Sequence, residues 1–361
     1  MVILLLNTEI AGLLLAWYEM NKRPLPWRAD REPYHIWLSE VMYQQTRVET
    51  VKAYYRRFLD LLPTISHLAE CPEDQLYKLW EGLGYYSRAR NLRKAAIVIQ
   101  SQYGGRFPAD YDAIRALPGI GDYTAAAIAS IAFDLPYPAV DGNLLRVVTR
   151  LCASKSDIGK ERTKAEVRQA LLPLFDGVRA GELNQALMEL GALICLPNHE
   201  PDCVHCPLNA LCPSSAGLWR EIPFKSPKKT RKTESHTVFL LHSGKAWALR
   251  KRAGNGLLAS LWEFPNLPGR LNAQAALDAA KDWGCRPASL LRHTEKSHIF
   301  THVYWELPAW VIECEERPPT FVWATAEEIR STYSLPTAFR QFLEDLETEK
   351  ENLHEKSDPV E

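Results

Sequence analysis

Leu117-Pro118-Gly119-Ile120-Gly121-Asp122-Tyr123-Thr124 decides the fold of this chain. A short helical stretch precedes it, and an alanine-rich run, Ala125 to Ala132, follows. Pro118 and Gly119 end the first helix. The two glycines are free to take positive φ and to bring bare backbone up to a ligand. Amide groups at the start of the second helix then point outward, where the helix dipole also favours an anion. A turn that grips through backbone alone holds a phosphate chain without reading its sequence. The same letters also suit a plain helix stop, so the surrounding chain must decide.

Around this turn the sequence reads as helix after helix, from residue 9 to about residue 213. Ala and Leu abound, β-branched alternation is rare, and Leu62-Pro63 and Gly104-Gly105 punctuate segments of helical length. The helical part ends in Cys195, Cys203, Cys206 and Cys212, spaced C-x7-C-x2-C-x5-C. Four thiolates that close together suit one metal centre. The spacing alone leaves tetrahedral zinc and an iron–sulfur cluster equally open. His199 and His205 lie inside the span but are not needed. The other cysteines, Cys71, Cys152, Cys285 and Cys314, are scattered, which suits buried thiols in a reducing compartment.

With 361 residues and 46% apolar side chains, the chain has room for two or three packed domains, and wholesale disorder is excluded. The net charge of −1 hides an asymmetry. Residues 344–361 hold eight acids and two bases, leaving 41 bases against 36 acids in residues 1–343. A mildly positive body suits a polyanionic partner. The apolar start, Met1 to Leu6, has no basic flank and is interrupted by Asn7 and Glu9. It is expected to be neither a signal peptide nor a spanning helix. A cytoplasmic protein without membrane attachment is expected.

The basic, Pro-containing stretch from Lys225 to Lys232 reads as an exposed linker, one that suits phosphate contact and simple solvation equally. Strand signals follow. Val238–His242 and Ala246–Lys251 suit a hairpin around Gly244, and Thr301–Leu307 and Ala309–Cys314 suit strands around Pro308. A short strand over Phe321–Ala324 and helices over Asn272–Trp283 and Pro336–Leu346 complete the pattern. The expected architecture is multidomain. An all-α domain over 1–213 carries the hairpin and, at 195–212, the cysteine loop. A basic linker over 214–235, an α/β domain over 236–346 and an acidic disordered tail over 347–361 follow.

Hairpin, Val140-Asp141-Gly142-Asn143 and the four cysteines together resemble the endonuclease III superfamily of helix-hairpin-helix DNA glycosylases. Leu38-Ser39-Glu40-Val41-Met42-Tyr43-Gln44-Gln45-Thr46 and Gly82-Leu83-Gly84-Tyr85-Tyr86-Ser87-Arg88-Ala89 are similar to its MutY branch, the adenine glycosylases acting opposite 8-oxoguanine. That branch also carries a C-terminal Nudix-like domain, so the resemblance covers both halves of the chain.

The resemblance implies an enzyme that removes adenine paired with 8-oxoguanine or guanine from double-stranded DNA. Adenine leaves when its ring is protonated and the sugar becomes an oxocarbenium-like cation. This needs an acid by the base and an anion by the sugar. The implied acid is Glu40, which protonates the imidazole side of adenine and later activates water. On a helix around Trp37–Val48 it would share a polar stripe with Gln44 and Arg47, a pattern that a solvated face also produces. The implied anion is Asp141, assisted by Asn143 and Tyr123. Asp141 also suits a plain helix N-cap, and both roles are compatible. At position 123 the lyase branch carries a Schiff-base lysine. Tyr has no amine, so a monofunctional glycosylase that leaves an abasic site is expected.

Further positions follow from the same resemblance. Gln45 and Tyr85 would wedge beside 8-oxoguanine. Trp27, Arg28 and Gln185 would line the adenine pocket, and Gln44, Thr46, Tyr86, Ser87, Gly119 and Gly121 would meet DNA. Phe300-Thr301-His302, with His298 nearby, would sense the oxidised base. Cys195, Cys203, Cys206 and Cys212 would hold a 4Fe-4S cluster, with zinc the less favoured metal. The chain departs from the branch at Tyr43, usually Leu, at Thr301, usually Ser, and in its first cysteine gap, seven residues instead of six. Gly256-Leu257-Leu258-Ala259-Ser260-Leu261-Trp262-Glu263-Phe264-Pro265 resembles the start of a Nudix box. The following helix reads Ala275-Ala276-Leu277-Asp278-Ala279-Ala280, without the acid cluster that binds magnesium. A monomer, nucleoid-associated when bound to DNA, is expected. The competing readings are an endonuclease III-like lyase on damaged pyrimidines, a catalytically silent DNA-binding protein, and a nucleotide pyrophosphohydrolase. Tyr123 and Glu40 oppose the first, the two retained carboxylates the second, and the alanine-filled helix the third.

Overall fold

The computed structural model describes residue 6, residues 8–227 and residues 230–346. Most of the apolar start, the pair Lys228-Lys229 and the tail over 347–361 lie outside the described residues. Among the described residues no helix is long and apolar enough to cross a membrane. The chain divides into two compact units, residues 1–71 with 90–228 and residues 72–89 with 229–361.

The first unit is all helical. Its longer elements are α1 (Glu9–Asn21), α2 (Pro33–Tyr43), α3 (Val48–Leu61) and α4 (Ile65–Glu70). Residues 72–89 contribute α5 (Glu73–Trp80) to the other unit, and α6 (Ser87–Tyr103) starts at the end of that segment. Then come α7 (Tyr111–Arg115), α8 (Asp122–Phe133), α9 (Gly142–Leu151), α10 (Glu161–Leu171) and α11 (Ala180–Leu193). Leu14, Leu144, Val167, Leu183 and Leu187 are sealed in one core shared by α1, α9, α10 and α11.

Side-chain size sets how closely these helices approach. Ala125, Ala126, Ala127 and Ala129 bury α8 with almost no bulk. On α11 a Cβ at Gly181 would stand 2.6 Å from the carbonyl oxygen of Ser130, so only glycine lets α11 lie against α8. Asn184, fully buried, ties this crossing together. It donates to Ser130 Oγ at 2.7 Å and to the carbonyl of Tyr137 at 2.8 Å, and it accepts from the Ala139 amide at 2.9 Å. The segment leading into Asp141 is fixed by these bonds.

The expected helix over Trp37–Val48 is broken. α2 stops at Tyr43, Gln44–Thr46 form a turn in which the Thr46 amide reaches the Tyr43 carbonyl, and α3 starts at Val48. Gln45 sits in this turn at φ +59°. Glu40, Gln44 and Arg47 therefore do not form one stripe.

The second unit is an α/β fold around a mixed seven-stranded sheet. Its strands are β1 (Lys232–Ser243), β2 (Ala246–Lys251), β3 (Trp262–Glu263), β4 (Asn266–Pro268), β5 (Pro287–Ile299), β6 (Val303–Cys314) and β7 (Val322–Thr325). The order is β3-β2-β1-β6-β5, with β4 on β1 and β7 on β2; β1 and β6 run parallel. β1 and β2 form the expected hairpin around Gly244. One core packs α13 (Ala326–Ser331) and α14 (Thr337–Arg340) against one face, and α12 (Ala273–Asp282) covers the other.

Further features differ from the sequence-based expectation, among them the helix expected over Pro336–Leu346, which is interrupted after Arg340. β6 is a single strand that runs through Pro308, which pairs with Glu295 of β5. Of the linker expected over 214–235, the part before Lys225 is docked and residues 232–235 belong to β1. Ile222 is buried, and Arg150 donates to the carbonyls of Ile222 and Trp219. Its basic residues Lys225 and Arg231 remain exposed.

Candidate active site

Tyr123, the second residue of α8, donates its hydroxyl to Glu40 Oε2 on α2 at 2.8 Å. Gln44, just past α2, donates to Thr124 Oγ1 at 3.3 Å and ties the same two elements. Burial pushes the Glu40 carboxyl up to about 7; the bond from Tyr123 pulls it down, and the negative charge of Asp141 pushes it up again. Tyr123 is itself pushed well above the usual phenol range, by burial and then by the charges of Glu40 and Asp141. Glu40, Tyr123 and Asp141 thus act on one another at a single place.

Asp141 is the N-cap of α9. Its Oδ1 accepts from the Leu144 amide at 2.8 Å and its Oδ2 from Asn143 Nδ2 at 2.9 Å. Burial raises its carboxyl, against these bonds. One turn on, Arg146 donates to Asn143 Oδ1 at 3.1 Å and to the carbonyls of Gly191 and Cys195 at 2.7 and 2.8 Å. Asp141 and the first cysteine are therefore joined through Asn143 and Arg146.

A cleft of about 630 Å³ opens in the same unit, lined by Tyr18, Arg23, Trp27, Arg28 and Gln185. Gln185 accepts from the Tyr18 hydroxyl at 3.1 Å. Sequence reasoning missed the residue that organises this wall. Glu189 is only 1% exposed and accepts from Arg23 Nε at 2.6 Å, Arg23 Nη2 at 3.0 Å and Arg28 Nη2 at 2.9 Å. Burial would raise this carboxyl, but the two guanidiniums hold it down at about 2. The available signal was a second acid on the Ala- and Leu-rich helix α11, four residues after Gln185 and seven after Glu182. Tyr43 packs edge-on against Trp27, with ring centroids 5.6 Å apart.

The hairpin joins α7 to α8. Gly119 takes φ +76°, and a Cβ there would stand 2.5 Å from Asn91 Cβ, so position 119 is closed to any side chain. Gly121 behaves differently from expectation. Its φ is −93°, so no left-handed conformation is needed. Nothing lies within 4 Å of the space a Cβ would take, which leaves the backbone open at the start of α8, where no side chain caps the helix.

The four cysteines Cys195, Cys203, Cys206 and Cys212 line one cavity together with Leu190, Ile194 and Leu208. Arg150 donates to Cys195 Sγ at 3.3 Å. Among the described residues no trio of His, Cys, Asp or Glu is gathered tightly enough for a single ion.

In the second unit, Tyr85 stands half-exposed at φ +47° and its hydroxyl is hydrogen-bonded to Thr301 Oγ1 at 3.0 Å. Phe300, Thr301 and His302 form the turn between β5 and β6, and His298 packs edge-on to Phe300 at 4.6 Å. Tyr86, expected to meet DNA, points inward instead. It is 7% exposed and packs edge-on against Tyr77, because aromatic burial outweighs display at that position. Ser87 stays exposed at the start of α6. On α12, Asp278 is held by Gln274 and Lys281, and Glu263 is paired with Arg250 and Arg252.

A model for HhH-GPD superfamily base excision DNA repair proteins matches residues 38–173, and one for the NUDIX domain matches residues 237–345. The adenine DNA glycosylase of Homo sapiens is 33% identical over 401 residues, 92% of this chain and 73% of that protein. That of Mus musculus is 34% identical, over 89% of this chain and 75% of that protein. Among solved structures, a thermostable thymine-DNA glycosylase is 28% identical with a TM-score of 0.52, covering 58% of this chain and 95% of that one. A non-covalent endonuclease III–DNA complex is 25% identical with a TM-score of 0.50, covering 60% and 99%.

Proposed function

Since the chain belongs to the adenine DNA glycosylases, we propose that it excises adenine opposite 8-oxoguanine or guanine through Glu40 and Asp141, and stops at the abasic site. It acts in base-excision repair on double-stranded DNA. The observation that carries the chemistry is the buried Glu40, held at 2.8 Å by the Tyr123 hydroxyl, with its carboxyl raised by burial to about 7. An acid with that pKa still holds a proton near neutrality.

Adenine leaves the stack to reach Glu40, because a base inside a duplex is out of range. Arg23 and Arg28, both held by the buried Glu189 behind them, form a charged wall of the cleft lined by Trp27 and Gln185. Glu40 then delivers its proton to the imidazole side of adenine. Electron density leaves the glycosidic bond, and the sugar turns cationic. Asp141, held rigid by its cap bond and by Asn143, opposes that positive charge. Glu40, now a carboxylate, takes a proton from the attacking water. Tyr123 orients Glu40 and offers no amine, so no Schiff base follows. Gln45 and Tyr85, each held at positive φ, suit the filling of the gap left by the base. Thr301 and its loop suit the reading of the partner base.

Cys195, Cys203, Cys206 and Cys212 would hold a 4Fe-4S cluster. Four cysteine side chains that line one cavity fit a single centre ligated by thiolates alone. When bound, the cluster supplies four cross-links that fix the loop over 195–212.

The test is a duplex with adenine opposite 8-oxoguanine or guanine, incubated and then split into halves with and without alkali. Cleavage of the adenine strand only after alkali supports the reading. Cleavage without alkali, or none, contradicts it.

A further inference from the structure

Residues 72–89 lie in the helical part of the sequence, yet they are built into the unit that carries the sheet. Four long-range bonds hold them there. Lys251 Nζ pairs with Asp74 at 2.6 Å. Lys78 Nζ donates to the Tyr333 carbonyl at 3.2 Å, and the Leu335 amide donates to Glu81 Oε1 at 3.0 Å. Lys78 and Glu81 also pair with each other at 2.8 Å, and both are largely covered. The fourth bond is that between Tyr85 and Thr301.

The turn between α5 and α6 is braced from within as well. Trp80 Nε1 donates to the Gly84 carbonyl at 3.0 Å. Arg88, 8% exposed, donates to the carbonyls of Leu83 and Gly84 and lies over the rings of Trp80 and Tyr85. Tyr85 is thus displayed from a stiff turn. The direction of that turn is set by its hold on residues 333–335, which lie at the foot of α14.

We infer that Lys78 and Glu81 are positioning residues for partner-base recognition: they clamp the turn carrying Tyr85 to the backbone at Tyr333 and Leu335, so that Tyr85 and Thr301 meet DNA as one rigid reader. The inference rests on the partner-base reading proposed above. Neither residue touches DNA or the reacting bond in this account. Without the clamp, Tyr85 and Thr301 remain but their spacing is no longer fixed, and a reader of a single base needs its donors held in place.

The test uses the full chain with Lys78→Met, Glu81→Gln and the double variant. Single-turnover adenine release is measured opposite 8-oxoguanine and opposite guanine. In each variant the rate opposite 8-oxoguanine should fall about tenfold more than the rate opposite guanine. The double variant should be no worse than the weaker single one, and Lys78→Arg should restore most of the loss. Parallel loss on both duplexes, as a merely destabilised protein would show, overturns the clamp. A wild-type ratio near one counts against partner reading itself. The clamp is then judged by a second signal, the fluorescence of 2-aminopurine placed beside the partner base. It should brighten on binding wild-type protein and brighten much less with Glu81→Gln. Equal brightening overturns the inference.

Discussion

Tyr123 on α8 and Glu40 on α2 are eighty-three positions apart, and the phenol hydroxyl of the first donates to Oε2 of the second at 2.8 Å. This bond opposes the burial that raises Glu40. The sign of its effect on pH dependence follows. The acid form is the active one at the protonation step, and its population falls as pH climbs through about 7. The single-turnover rate is therefore expected to decline above that pH. Tyr123→Phe removes a bond that favours the carboxylate, so the descending limb should move to higher pH. A pH–rate profile of both proteins checks this.

Tyr123→Lys places an amine where the hydroxyl now meets Glu40. The variant is expected to gain strand cleavage without alkali, trapped as a covalent protein–DNA adduct by borohydride, because a lysine amine condenses with the abasic aldehyde. Gel analysis of trapped product measures the gain, and no adduct would count against the position assigned to residue 123.

Gly119→Ala forces a methyl to within 2.5 Å of Asn91 Cβ at a backbone φ of +76°. A stability loss of about 1–3 kcal/mol is expected from strain and displacement. Thermal unfolding measures the first effect. DNA affinity should fall for all sequences alike, since the hairpin reads only backbone; titration with unrelated duplexes measures the second.

Cys203→Ser removes one of the four thiols facing the shared cavity. Absorbance in the blue part of the visible spectrum should be lost together with iron, and the melting temperature should drop, because metal binding is coupled to folding of its loop. Stoichiometric zinc in the wild-type protein, with no iron, would overturn the cluster assignment.

Much of this was legible along the chain because it rests on local pattern. The hairpin, the cysteine spacing and the 3.6-residue periodicity are short-range signals, and the β1–β2 hairpin around Gly244 likewise. Several features were not, and these bear on the site. The break after Tyr43 hides inside a run with good helix formers, and only the turn at Gln44–Thr46 reveals it. Glu189 looks like one more surface acid until Arg23 and Arg28, more than 160 positions earlier, close on it. Residues 72–89 follow the helical pattern of their neighbours, and nothing local announces bonds to Tyr333 and Leu335. Each miss involves partners that only the tertiary fold brings together.

In the proposed mechanism Glu40 and Asp141 work as a pair on one glycosidic bond. Single-turnover adenine release by wild type, Glu40→Gln, Asp141→Asn and the double variant tests it most directly, with DNA affinity and melting temperature measured alongside. Asn keeps the cap bond to the Leu144 amide but sets a donor against Asn143 Nδ2, so Asp141→Asn should cost about 1–2 kcal/mol of stability. Each single change should cost about a thousandfold or more in rate, and the double variant should be scarcely worse than the poorer single one. Near-normal release by either single variant, with DNA binding intact, would contradict it.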